Sequence, residues 1–225
     1  MIGVAFALLS AAVAETPDAT TIPQSSSALS PPKKASRWFV RVGALRALYN
    51  SGARISTNGS IIPGSTAGVT DSTTLTFDIG YDLSNDVSVM FMGGFPPFAN
   101  VIGQGSVAPF GELGRVWFGP TILTAVYRLP TWHGFRPYVG AGGAHLFILK
   151  AEDRSVTELK VHDHNGFVLQ AGVEYRLSRK WELFADYKHL WLNVHAEGLL
   201  AGEPVRAKVT LNPDLVSAGL KFHFG

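Results

Sequence analysis

Residues 165–193 hold the feature that most restricts what this chain can fold into, because apolar and polar side chains alternate along two stretches on either side of one tight turn. In the first stretch Phe167, Leu169, Ala171, Val173, Tyr175 and Leu177 take the odd positions, and Val168, Gln170, Gly172, Glu174 and Arg176 the even ones. After Ser178, Arg179 and Lys180, one face carries Trp181, Leu183, Ala185 and Tyr187 and the other Glu182, Phe184, Asp186 and Lys188. A period of two belongs to a strand with unlike faces; a helix would spread the same charges around its circumference. The segment therefore predicts two strands paired antiparallel across a short turn. Neither is long enough or apolar enough to be a membrane helix.

Composition narrows the choice further. A chain of 225 residues is one domain, or one domain with a tail. It is 46% apolar and 16% charged with 24 glycines, a balance that suits strands and turns, and no run of eighteen apolar residues occurs. The net charge of +2, with no basic cluster longer than Lys33-Lys34, excludes nucleic acid as an expected partner. There is no Cys, so disulfides and thiolate metal sites are excluded. An apolar run over 2–9, with Ala12-Val13-Ala14 before Glu15, reads as a signal peptide over 1–14, although no Lys or Arg precedes it. Pro17, Pro23, Pro31 and Pro32 make 15–36 a disordered Pro/Ser-rich tail.

The alternation recurs from 37 onward. Strand one is expected over 38–48, with Trp38, Val40 and Val42 opposite Arg41 and Gly43. Further strands are expected over 74–83, 87–95, 120–129 and 136–149, then the opening pair, then 206–224. The connections alternate in length: polar loops over 50–72, 151–163 and 196–205 and a more apolar one over 96–114, with tight turns between. All long loops therefore fall at one end. Eight antiparallel strands close into a barrel, which removes both sheet edges.

Two barrel classes fit, a lipocalin-like soluble barrel and an outer-membrane barrel with its apolar face toward lipid. Tyr81, Tyr127, Tyr175 and Trp181 sit on the apolar stripe beside the short turns, as an interfacial girdle would. The other face carries Arg41, Asp78, Asp82, Arg128 and Glu174, followed by Arg176, Glu182, Asp186, Lys188 and Lys221. Its mixed signs suit charges paired across a narrow lumen; in lipid each unpaired Arg or Lys would cost about 2–4 kcal/mol at mid-depth. The expected fold is all-β, an eight-stranded antiparallel up-and-down transmembrane β-barrel over 37–225 with short periplasmic turns and long extracellular loops. Its expected location is the outer membrane of a Gram-negative bacterium, after export.

The stretch Phe135-Arg136-Pro137-Tyr138-Val139-Gly140-Ala141-Gly142 resembles the fifth strand of the OmpW/AlkL family of outer-membrane proteins. Gly119-Pro120-Thr121-Ile122-Leu123 is similar to its fourth-strand segment, Gln170-Ala171-Gly172-Val173-Glu174-Tyr175 to its sixth, and Leu211-Asn212-Pro213 to the start of its last. The resemblance runs from Trp38 to Phe224. It implies a narrow, largely apolar channel that lets small hydrophobic molecules cross the outer membrane. Two departures are Gly225 after the usual closing Phe, expected to weaken recognition by the barrel-assembly machinery, and the longer Pro-rich tail.

Little in the sequence points to catalysis. His162-Asp163-His164-Asn165 places two His on one face of an extended segment, too few local ligands for a metal site. Gly140-Ala141-Gly142-Gly143-Ala144 is not a dinucleotide motif, since no helix follows. Asp186 and His189 differ in parity and point to opposite faces, which excludes a triad built on them. Neither an enzyme, a cofactor nor a metal is expected. Phe95, Phe98, Phe110, Leu146, Phe147, Leu190 and Leu192 gather at the loop-proximal strand ends as a hydrophobic channel lining. A lumen dry toward the loops and charged toward the turns would take up apolar solutes and release them sideways, through a ladder weakened at Pro120 or Pro137. The expected partners are small hydrophobic solutes, outer-membrane lipid and lipopolysaccharide. A non-transporting surface barrel and, behind it, a lipid-modifying enzyme are the alternatives.

Overall fold

The computed structural model describes residues 36–95, 98–162 and 164–224, so the expected signal peptide and nearly all of the expected tail lie outside the described residues. In chain order the strands are β1 (Trp38–Tyr49), β2 (Gly52–Thr57), β3 (Ser60–Ile61), β4 (Ser65–Val69), β5 (Ser72–Asp82), β6 (Val87–Gly94), β7 (Phe98–Gly105) and β8 (Glu112–Arg128). They continue as β9 (Phe135–Asp153), β10 (Val156–Val161), β11 (His164–Arg176), β12 (Trp181–Trp191), β13 (Asn193–Leu200), β14 (Glu203–Thr210) and β15 (Pro213–His223).

Eight of these form the wall. β1 pairs β5, β5 pairs β6, β6 pairs β8, and β8 pairs β9; β9 pairs β11, β11 pairs β12, β12 pairs β15, and β15 returns to β1, every pair antiparallel. The ring is closed. The opening pair lies in register from Phe167↔Trp191 to Arg176↔Glu182, and Ser178 shapes its turn by accepting hydrogen bonds at Oγ from the Lys180 and Trp181 amides. Tight turns follow β5, β8 and β11, and the long connections all leave from the other end.

Alternation decides the faces. Along β5, Leu75, Phe77 and Ile79 are exposed on the outside while Thr76 and Asp78 are buried inside; along β12, Leu183 and Tyr187 face out while Asp186, Lys188 and Leu190 face in. An apolar exterior around a charged interior inverts the order of a water-soluble protein. That inversion removes the soluble rival.

The turn-end half of the interior is filled by ion pairs. Asp186 receives Arg41 at 3.1 Å, Lys188 at 2.6 Å and Gln170 at 2.6 Å, and the Tyr138 hydroxyl donates to it as well. Arg41 also meets Asp78 at 3.2 Å and lies over the Phe184 ring at 3.7 Å. Arg128 bridges Asp82 and Glu174, and Lys221 bridges Glu174 and Glu182. Above this layer, Leu45, Met92, Ile122, Val168, Leu190 and Leu215 make an apolar layer.

The expected loops are a correction. They are largely strands: β2, β3 and β4 occupy the expected loop 50–72, β7 and the start of β8 that at 96–114, β10 that at 151–163, and parts of β13 and β14 that at 196–205. β10, β13, β14, β2 and β3 form a second sheet, and β4 and β7 extend the edge of β8. Buried Ala53, Ile55, Ala67, Ala99, Val194 and Val209 explain why, since their alternation gives these segments an apolar face to hide. The expected single last strand is likewise split, with Pro213 starting β15 after Asn212 at φ 30.

Wall strands also approach closely at glycine. A Cβ on Gly142 would lie 1.9 Å from the Leu123 carbonyl oxygen, whereas one on Gly52 would meet nothing within 4 Å. Gly142→Ala is expected to lower stability by about 1–3 kcal/mol, read as an earlier loss of the folded band on heating in a detergent gel, with Gly52→Ala unchanged. Asp186→Ala, which strands Lys188 in the interior and leaves Arg41 only Asp78, should cost about 3–5 kcal/mol in the same assay.

Candidate functional site

Above the apolar layer the loop-end strands enclose a chamber of about 100 Å³. Alternate residues of β2, β4, β7, β8, β13 and β14 point into it, among them Ile55, Leu113, Val116, Phe118, Val194 and Val209. Apart from Glu197 at its edge, the lining is aliphatic or aromatic. Nothing there would hold a polar solute in place of water.

Beside the chamber the wall ladder is interrupted. β6 pairs β8 as far as Met92↔Ile122, and pairing resumes with β7 at Phe98↔Trp117. Between them, 118–121 of β8 bond only toward β9 among the described residues, where Pro120↔Leu146 keeps its place in the register. Pro120 has no amide hydrogen to give on either side. A narrow cleft of about 30 Å³ opens here, lined by inward Leu45, Met92 and Leu215, by Gly93 and Gly94 of β6, and by outward Leu75 and Phe95. Tyr49 stands between chamber and cleft: it lines the cleft, packs against both apolar clusters, and meets the chamber residue Phe118 edge-on at 6.2 Å.

The sequence-derived lining residues divide by parity. Leu146, Leu190 and Leu192 are buried in the interior, Leu146 and Leu192 at the chamber and Leu190 in the layer below it. Phe147 is a correction: it neighbours Leu146 on a regular strand and therefore faces out. Phe98 is also exposed, against Trp117 at 5.2 Å, because its neighbour Ala99 takes the inward position. Phe95, at 70% exposure, and Phe110 in the helical turn Ala108–Phe110 stand on the surface too. Of the charges, Arg176 stands at the turn-end mouth, its side chain 68% exposed and 3.4 Å from Glu182. Arg41, Asp78, Arg128, Glu174, Glu182, Asp186, Lys188 and Lys221 are buried, and Asp82 is half-buried against Arg128.

Tyr81, Tyr127, Tyr175 and Trp181 lie on the outer face near the turns, with Trp38–Tyr81 at 5.0 Å, Phe135–Tyr175 at 4.8 Å and Trp181–Phe222 at 4.8 Å. His189 also faces out and meets Asp214 at 2.7 Å, on the opposite side of the wall from Asp186. Pro137 sits near the turn end in an unbroken ladder opposite Val173. Tyr49, Ile55 and Phe118 were missed in sequence. Ile55 lies in a short alternation inside the segment 50–72 read as a loop, and Tyr49 and Phe118 lie just beyond the ends of the expected strands 38–48 and 120–129.

A model of the OmpW family matches residues 35–224. Among curated relatives, the dibenzothiophene metabolism operon protein PahQ of Pseudomonas aeruginosa is 31% identical over 189 residues, covering 84% of this chain and 89% of that one. Outer membrane protein AlkL of Ectopseudomonas oleovorans is 28% identical over 170 residues, covering 76% and 74%. A solved structure of AlkL in lipid bilayers is similar at TM-score 0.68 and 25% identity over 94% of this chain and 97% of that one. The crystal structure of OprG from Pseudomonas aeruginosa shares the fold at TM-score 0.78 and 19% identity, over 84% and 96%. With a family model spanning the whole barrel and a closed wall that is apolar outside and charged within, this chain belongs to the OmpW family of outer-membrane β-barrel proteins.

Proposed function

We propose that the barrel takes up small hydrophobic molecules at the loop-end chamber and releases them sideways into the bilayer through the cleft beside Pro120. The observation that carries this reading is the polarity split of the interior, apolar from the chamber down to Leu190 and ionic below it, with the wall interrupted on the apolar side of the boundary.

Magnitudes favour the sideways route. Each 100 Å² of apolar solute surface moved from water into such a chamber gains roughly 2.5 kcal/mol. Continuing along the axis would mean prising apart Arg41–Asp186 and Lys221–Glu174, at a cost of several kcal/mol per separated ion. Passing Pro120 breaks no ladder hydrogen bond toward β6, because none is formed there among the described residues. Tyr49 and Phe118 would set the width of that step. One relative supports the solute class, being named for a dibenzothiophene metabolism operon, dibenzothiophene being a fused apolar ring system.

Liposomes carrying the purified barrel are expected to take up an aromatic hydrocarbon faster than protein-free liposomes. Leu190→Lys, which brings charge into the apolar layer, should reduce the rate about tenfold or more. Phe147→Lys, on the outer face, should leave it unchanged. Gly93→Trp tests the exit separately: a Cβ there meets nothing within 4 Å, so the indole covers the cleft from outside and should slow uptake with the fold intact. Uptake no faster than in protein-free liposomes would favour a non-transporting surface barrel.

A further inference from the structure

The chamber wall has a second face. On β13, β14 and β2 the inward residues Val194, Val209 and Ala53 are buried, and the residues beside them in sequence, His195, Lys208 and Arg54, are exposed on the other side. The register places these three in one row, His195↔Lys208 across one ladder and Lys208↔Arg54 across the next. Directly opposed like charges destabilise a ladder. Here Lys208 and Arg54 are so placed, and among the described residues neither makes a side-chain hydrogen bond or ion pair.

The row forms the floor of a groove of about 340 Å³, completed by His162, Arg206 and Glu197. Glu197 is its one carboxylate among the described residues, and it lies 3.8 Å from both Arg206 and His162. The acids below the groove are also engaged: Asp71 faces Arg46 at 3.7 Å, and Asp214 accepts from Tyr187, Asn50 and His189. Among the described residues Lys208 and Arg54 thus stand opposite each other with no carboxylate partner. An anion seated between Lys208 and Arg54 would turn their mutual repulsion into joint attraction, with the planar guanidinium able to grip two oxygens at once.

Height selects the anion. Trp191 is the last exposed aromatic of the outer stripe on β12, and His195 follows four residues later. At about 3.3 Å per residue on a strand tilted near 40°, the row stands roughly 10 Å beyond that apolar edge. The long loops of outer-membrane barrels lie on the outer-leaflet side, where this is the level of lipopolysaccharide phosphates and acidic inner-core sugars. We infer that the His195–Lys208–Arg54 row is a docking site for the phosphorylated headgroup of lipopolysaccharide in the surrounding leaflet. The groove holds the barrel at a fixed depth and leaves the chamber and cleft unobstructed.

The test uses the full chain purified in a neutral detergent and titrated with intact lipopolysaccharide, phosphatase-treated lipopolysaccharide and inorganic phosphate. Intact lipopolysaccharide should bind at least tenfold more tightly than the treated form, and phosphate alone should not saturate the site. The double variant Arg54→Gln, Lys208→Gln should weaken binding roughly 30-fold, since each basic group near an anionic surface contributes comparably. Its unfolding temperature without lipopolysaccharide should hold or rise, because a like-charge opposition is removed. Single Arg54→Gln should give an intermediate loss, and Arg179→Gln, Lys180→Gln at the turn end none. Equal binding by the double variant, equal binding of the dephosphorylated lipid, or saturable phosphate binding of similar strength would each overturn the assignment.

Discussion

The structure depends on one constraint: a sheet standing in lipid has no water to satisfy its backbone, so every strand edge must find a partner. Closure through β1 and β15 meets that demand, and most other features follow from it. The outward face must be apolar, which leaves the inward face to the polar side chains the sequence carries. Those side chains are charged, and a narrow lumen excludes bulk water, so they must neutralise one another. Arg41, Arg128, Lys188 and Lys221 do so against Asp78, Asp82, Glu174, Glu182 and Asp186. Such a network contributes little net stability relative to an apolar core, but removing any single member is costly. Its consequence here is that paired side chains fill the turn-end half of the interior.

The wall was legible in sequence because its two solvents differ so sharply. Lipid outside and ion pairs inside impose a strict period of two, and from Phe167 to Lys188 each side chain was assigned to its side by parity alone. Parity also separated Asp186 from His189 before any contact was known. The candidate site was only partly legible. Leu146 and Phe147 were grouped by position along the chain, whereas adjacent residues of one strand cannot both line a lumen.

The loop end was misread for a different physical reason. Above the membrane the outer face of a strand meets water, so exterior residues are Arg, Ser, Thr and Gly, and interior ones include Ala as often as Ile or Leu. β2 has Ala53 and Ile55 buried between Arg54 and Ser56, a contrast too weak and too short to outweigh the neighbouring Asn58-Gly59 and Pro63-Gly64 turn signals. What holds these segments as strands is the chamber that several of them build together. No single one has enough apolar surface to show it.

The break at Pro120 finally has to be weighed against the constraint that governs the rest of the wall. An open ladder in lipid is expensive, and two features limit the expense. Pro120 removes one donor at the source, and β8 stays paired to β9 along the other edge, with one register shift at Trp117/Phe118. The open stretch is confined to 118–121, between two paired segments that hold it from spreading. It also lies where the interior has already changed from ionic to apolar, so an opening here exposes Leu45, Met92 and Leu215 to lipid and leaves the buried charges covered. Placed lower on the same strand, beside Thr124 or Arg128, the same interruption would bring Arg41 and Glu174 into contact with hydrocarbon. The position of the proline relative to the polarity boundary therefore keeps the interruption beside apolar side chains and away from the buried charges.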